Sequence, residues 1–331
     1  MSSNGLLHDA RAHYAARDYA ATAALVESAD AARRRSQPEL GFLLAASWRQ
    51  LGRSAEALEL AVELTDPVLR RGTPRLALRR LNLEAMLRFE AGSVSAAEAL
   101  WLHLHGHASA EDDSEYIAHA SNNLGVVYTL QTRMDEALAS YERALVAYQR
   151  MGERLGLGQA HQNLGIAHRE SGRAAHADEH FESARYHATA ATDDRLLGRV
   201  ETERALLLAR TGDHRLADAT ARRARSRLQL VGDPAGTGEA LRAAGLIAIA
   251  AGRPDAALEP LESALRIARE TGHALLEAET LLGLAIVRAA RRSPDADETR
   301  QAADALFERI GARQWCSAME RWLIESGGTL H

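Results

Sequence analysis

Lysine is missing from this sequence: all 40 basic residues are arginine. No G-x-x-x-x-G-K-[ST] phosphate loop can therefore exist in it. Cysteine is nearly missing as well. Cys316 stands alone, which excludes an intramolecular disulfide framework and any multi-cysteine zinc site. Aromatics make up 5% of the chain and there are 7 prolines, a poor supply for a β-sandwich or barrel. Long apolar runs are lacking too. The longest, Ala243 to Gly252, falls far short of the roughly 20 residues that span a bilayer. Met1 to Arg11 carries neither the basic start nor the apolar stretch of a signal peptide, so a soluble, cytoplasmic protein is expected. The net charge of −5 says little about a partner.

Alanine and a repeat are what the chain has in quantity. Alanine is about a fifth of the residues, and the 46% hydrophobic and 26% charged fractions are those of a folded, helix-rich chain. At about 150 residues per domain the length alone would suggest two domains. The internal register replaces that reading. Gly52, Gly92, Gly172, Gly212 and Gly252 are separated by multiples of 40, with Thr132 and Arg292 at the two vacant places of the series. Five residues after each glycine comes Ala57, Ala97, Ala177, Ala217 or Ala257. Each unit holds two amphipathic stretches with apolar i, i+3, i+4 spacing. The glycines suit the left-handed residue that ends a first helix, and residues such as Asp213 and Pro254 suit the start of a second. Asp233-Pro234 reads as the cap and first residue of another first helix. Gly125 and Gly165 fall in mid-helix, where glycine costs about 1 kcal/mol relative to alanine, so close helix crossing is expected there.

Two units show the pattern in full. One reads Asn122-Asn123-Leu124-Gly125-Val126-Val127-Tyr128, then Ala137, Tyr141 and Ala144; the next reads Gln162-Asn163-Leu164-Gly165-Ile166-Ala167-His168, then Ala177, Phe181 and Ala184. This resembles the tetratricopeptide repeat, in the 40-residue variety of kinesin light chain, Rap-type peptide receptors and the maltose-regulon activator. The resemblance implies an all-α, right-handed superhelical solenoid of about eight helix-turn-helix pairs. The pairs are placed at 5–36, 38–71, 74–109, 114–151, 154–190, 194–231, 234–271 and 274–311. A closing helix at 312–325, with Trp315, Met319, Trp322 and Leu323 at helical spacing, would cover the exposed end of the last pair. Residues 1–326 then form a single solenoid and 327–331 a flexible tail.

The resemblance also implies where a ligand would lie. First helices line the concave face, and in peptide-binding 40-residue repeats the asparagine two before the glycine bonds a ligand backbone. Asn123 and Asn163 hold that position here. An amide both donates and accepts, so it can pair with an extended peptide of any sequence. The same helical stripe carries Asn82, Asn122, Gln159, Gln162, Arg169, Arg199, Thr202 and Arg242. Its arginines suit a carboxylate. Further along, Leu246, Ile249, Leu282 and Ile286 make the stripe apolar, as either a pocket or tighter packing.

Three motifs point to other chemistry. His176-Ala177-Asp178-Glu179-His180 matches the H-x-x-E-H zinc pattern, with Glu179 as base. Ala177 and Phe181 already hold repeat positions, however, and the two histidines are expected on the outer side of the helix. His103, His105 and His107 alternate near Gly106, where a helix end and a polar loop are expected. Arg33-Arg34-Arg35 and Arg222, Arg223, Arg225 and Arg227 are basic clusters without interleaved aromatics, which argues against nucleic acid. Cys316 reads as packing. The expectation is a non-enzymatic scaffold, without cofactor or metal, that binds a protein or peptide segment with acidic groups in its groove. The alternatives are a ligand-responsive regulator acting on a separate effector and a zinc-dependent hydrolase.

Overall fold

The computed structural model describes residues 3–326, and the tail at 327–331 lies outside the described residues. All regular structure among them is helical. The chain divides into two compact units, one up to Tyr116 and one from Ile117 on. The first contains α1 (Ser3–Ala15), α2 (Tyr19–Glu27), α3 (Ala31–Ser36), α4 (Pro38–Gln50), α5 (Ser54–Glu63), α6 (Thr65–Arg71), α7 (Pro74–Glu90) and α8 (Val94–Ala110). Its core is built on Leu40, Leu43, Leu44 and Leu87.

From α9 (Ser114–Leu130) the helices pair regularly. They are α10 (Met134–Met151), α11 (Arg154–Glu170), α12 (Ala174–Ala190), α13 (Asp194–Arg210), α14 (His214–Leu230), α15 (Pro234–Ala250), α16 (Pro254–Thr271), α17 (Ala274–Ala290) and α18 (Ala296–Arg309). A last helix, α19, runs from Arg313 to Ser326. Within this unit α13 packs on α11 and on α15, and α15 on α17, while the even-numbered helices pack against odd-numbered ones. The odd helices therefore form the inner layer of a stack of hairpins.

Local chemistry explains the regularity. The turn within each pair passes through a left-handed residue: Gly52, Gly92, Gly172, Gly212 and Gly252 have φ of 68–88°, and Thr132 and Arg292 adopt 57° and 54° in the same place. The turn geometry thus persists where glycine is lost, although a side chain there costs about 1 kcal/mol or more. A second series, which the glycine spacing alone did not show, joins successive pairs. Asp112, Gly152, Thr192, Gly232 and Gly272 lie 40 apart with φ of 50–66°. The residue after each caps the next helix. The side chains of Asp113, Asp193, Asp233 and His273 accept from the amides of Tyr116, Leu196, Gly236 and Leu276 at 3.3, 2.7, 3.1 and 3.2 Å, and Glu153 accepts from Gly156. Asp213 likewise accepts from Leu216 at 3.1 Å to cap α14.

The mid-helix glycines answer to large side chains on the partner helix. A Cβ on Gly125 would stand 2.4 Å from the Tyr141 ring, one on Gly165 2.5 Å from Phe181, and one on Gly245 2.4 Å from Leu261. In the sixth pair the equivalent positions are Ala205 and Ala221, both buried. Volume is traded across the crossing, so glycine with a bulky partner gives way to two small residues.

Candidate binding face

On the inner layer, polar side chains link one odd helix to the next. Asn163 Nδ2 on α11 donates to Asn122 Oδ1 on α9 at 2.9 Å, and both amides are half-buried. Asn123 is also half-buried, as is Gln162, while Gln159 is exposed. At the far end of α11 and α13 lies a buried charge network. Arg169 donates to Glu170 at 2.9 Å and to Glu203 at 2.7 Å, and Arg210 donates to Glu170 at 2.6 Å. Burial works against the charge of Arg169, and Glu203 and Glu170 more than compensate, so its pKa is raised. Arg210 fares differently: burial, with Arg169 nearby, lowers it despite Glu170.

Arg199 donates to the capping carboxylate of Asp233 at 3.1 Å, which ties α13 to the start of α15. Arg242 on α15 lies 3.3 Å from Glu279 on α17. Glu279 is buried, and burial raises its pKa against the opposing pull of Arg242 and Trp315. Thr202 is buried and its hydroxyl donates to the Gly198 carbonyl at 3.0 Å, a bond within its own helix. Asn82 lies in the first unit, where its Oδ1 accepts from Trp101 Nε1 at 3.1 Å. The structure thus brings Asn122 and Asn163 together, groups Arg169 and Arg242 with buried carboxylates, and bonds Asn82 to Trp101 within the first unit. Leu246, Ile249, Leu282 and Ile286 are all buried.

The closing helix departs from the sequence expectation. Toward α18 it does cover the last pair: Arg300 pairs with Glu320, and Cys316 is buried with Sγ 3.9 Å from Asp304. Burial pushes the Cys316 thiol up to about 11. Its other face turns onto the inner layer. Trp315 Nε1 donates to Glu279 at 2.6 Å, and the Arg210 guanidinium stands 4.6 Å from the centre of the Trp322 ring. Glu170, Glu203, Arg210 and Glu279, and the role of the two tryptophans, were not evident from the stripe. The only signal was the i, i+4, i+7 spacing of Trp315, Met319 and Trp322, which suits a helix seated in a groove as well as it suits a cap.

The other motifs are placed as follows. His176 is exposed, as an outer position requires, whereas His180 is half-buried. They stack with α11 in one continuous file of five rings, His176, His168, His180, His161 and His187, with successive centres 5.1–5.6 Å apart. Helix α8 continues through Gly106 to Ala110, so His103, His105 and His107 are helical and not in a loop. His103 and His107 share one face, Nε2 to Nε2 3.1 Å. Among the described residues no group of three or more side chains could hold a metal ion. Arg223 and Arg227 pair with Glu201 of α13, Arg227 also with Asp194, and Arg34 donates to the Ala29 carbonyl at 2.5 Å.

Comparison with known proteins places this architecture. No curated protein matches the sequence. A Rap protein solved in complex with competence and sporulation factor superposes with a TM-score of 0.62 at 14% identity, covering 99% of this chain and 98% of that one. NprR, solved with its cognate peptide NprX, gives 0.58 at 14% identity over 86% of this chain and 84% of that one. A signal transduction ATPase with a tetratricopeptide repeat sensor, from Pyrococcus horikoshii, gives 0.59 at 16% identity over 95% of this chain and 46% of that one. At such identities the likeness is one of fold. Residues 116–185 and 196–270 match the model of the tetratricopeptide repeat.

Proposed function

We propose that this chain is a non-catalytic binding module that takes a peptide or protein segment along the inner layer of its second unit. The observation that carries the reading is the amide rung between Asn163 and Asn122. Two adjacent repeats offer half-buried amides on one face, and the rung uses only one donor of Asn163 and one acceptor of Asn122. The remaining Asn163 Oδ1 and Asn122 Nδ2 lone pairs and protons, with Asn123, Gln159 and Gln162 nearby in sequence, suit an extended backbone. Arg199, paired with Asp233, and Arg242, paired with Glu279, hold the helices in place together with Arg169 and Thr202. Asn82 would serve the same role in the first unit only if released from Trp101.

NprR was solved with its cognate peptide, which supports a peptide as the ligand class. No helix among the described residues is long and apolar enough to cross a membrane, in keeping with the cytoplasmic site proposed here. The test is a displayed peptide library panned on the purified chain, followed by titration of the selected peptides. The double variant Asn123→Ala, Asn163→Ala is expected to lose about tenfold in affinity while keeping its helical circular dichroism, roughly one buried hydrogen bond's worth. Unchanged affinity in the folded variant would remove the groove assignment.

A further inference from the structure

The inner layer is not empty: α19 already lies on it. The helix presents Trp315, Met319 and Trp322, at i, i+4 and i+7, to α15, α17 and the charge network behind them. It is held by the Trp315–Glu279 hydrogen bond, by the stacking of Arg210 on Trp322, and by Gln314, whose Oε1 accepts from Thr132 Oγ1 at 3.1 Å. Thr132 belongs to the turn between α9 and α10, 182 residues earlier. The last helix therefore reaches from the end of the stack to its beginning.

The fit is incomplete. Between α19 and the inner layer a void of about 20 Å³ remains, room for about one water, walled by Arg169, Glu170, Arg210, Arg242, Leu206 and Leu246 and roofed by the two tryptophans and Met319. Arg210 Nε and Trp322 Nε1 are buried there without a hydrogen-bond partner, while Arg242 Nε is ion-paired with Glu279 at 3.3 Å without hydrogen-bond geometry. A seat evolved only for α19 would satisfy its own donors. This seat instead holds α19 through two indoles and leaves the N–H groups of Arg210 Nε and Trp322 Nε1 unanswered.

We propose that α19 is a built-in occupant of the ligand groove, displaced when a peptide segment that carries hydrogen-bond acceptors, such as a carboxylate, takes the same face. The inference rests on the groove reading above, and it makes the chain a sensor whose bound and free states differ in the position of one helix. Ligand affinity then includes the work of lifting α19, so weakening α19 tightens binding. The apolar stripe of α19 and the apolar wall of Leu206 and Leu246 set the second requirement for the competitor, an apolar side chain beside the acceptor.

The experiment uses the full chain and a fluorescein-labelled peptide of the α19 sequence, Arg313 to Ser326. Trp315→Ala with Trp322→Ala loosens the covalently attached copy without touching the seat. Anisotropy titration is expected to show the labelled peptide binding the double variant at least about tenfold more tightly than the parent chain, because the attached copy competes at high effective concentration. Equal affinity, or no binding to a variant with parental circular dichroism, would overturn the proposal. If the variant does not fold, hydrogen exchange on the parent chain decides. Amides of α19 are expected to exchange at least about tenfold faster than those of α15 and α17, and equal protection would overturn it. Failure here leaves the Asn123, Asn163 titration untouched, so the two readings fail separately.

Discussion

Gly165 and Gly106 are both mid-helix glycines, and the same change to alanine is expected to have opposite signs at the two. Removing glycine from a helix interior favours folding by about 1 kcal/mol. At Gly106 nothing lies within 4 Å of the added Cβ, so Gly106→Ala should stabilise by about that amount. At Gly165 the Cβ would meet Cε1, Cδ1 and Cζ of Phe181 at 2.5, 2.6 and 3.0 Å. The ring has no accessible surface and cannot swing away. Overpacking of this kind costs about 1–3 kcal/mol, and with the ring fixed the upper part of that range applies, which exceeds the helical gain and leaves Gly165→Ala destabilised by up to about 2 kcal/mol. Phe181→Leu alone should cost about 1 kcal/mol, and the double variant should cost about 1 kcal/mol less than the sum, since the smaller side chain makes room for the methyl. Urea unfolding by circular dichroism measures all four. Hydrogen exchange in α11 and α12 locates the effect, as repeat stacks need not unfold in one step. A stabilised Gly165→Ala would refute the reasoning, because it would mean that propensity and not the crossing decides these positions.

Three further outcomes are expected. Burial first, then neighbouring cations and histidines, hold His161 and His168 down to about 4, and burial lowers His180 and His187 too. These four rings are therefore harder to protonate in the folded state than in the unfolded chain, whose histidines take up protons below about 6.5, so stability present above pH 6.5 is lost as the pH falls toward 4. With part-exposed rings the loss is on the order of 2 kcal/mol, and His161→Asn with His168→Asn should flatten the difference in urea midpoint between pH 7.5 and 5. Arg169→Met strands the buried carboxylates of Glu170 and Glu203 and should cost about 3–5 kcal/mol in thermal or urea unfolding, and a near-neutral result would mean the network contributes little. Thr192→Gly relieves a β-branched residue at φ 52° and should raise stability by about 1 kcal/mol at most, where a loss would show that the turn does not need the left-handed conformation.

The helical register was legible because it is written in short-range chemistry. A left-handed turn wants glycine, a helix start wants an oxygen, and a tight crossing wants a small residue, so Gly172, Asp213 and Gly165 disclose their roles one by one. The second turn series was harder to see because Asp112 and Thr192 occupy left-handed places without being glycine. The helical state of His103 to His107 was misread for the converse reason: Gly106 looks like a stop, but tertiary packing carries the helix past it.

The candidate face was legible in part. That Asn122, Asn163, Arg169 and Arg242 share a stripe follows from the 40-residue period. That Asn163 bonds Asn122, that Arg169 is spent on Glu170 and Glu203, and that five histidines on two helices form one file depends on distances between helices, which no spacing along the chain encodes. Thus the sequence by itself determined the helices, their turns and caps, and which residues each helix turns inward, since all of these are settled within one repeat. Only the tertiary structure decided which inward groups are already satisfied and what lies on them. Beyond Arg242 and Glu170, Glu279 and Arg210 also meet Trp315 and Trp322, on a helix that is remote in sequence, and burial, not local propensity, brings them together.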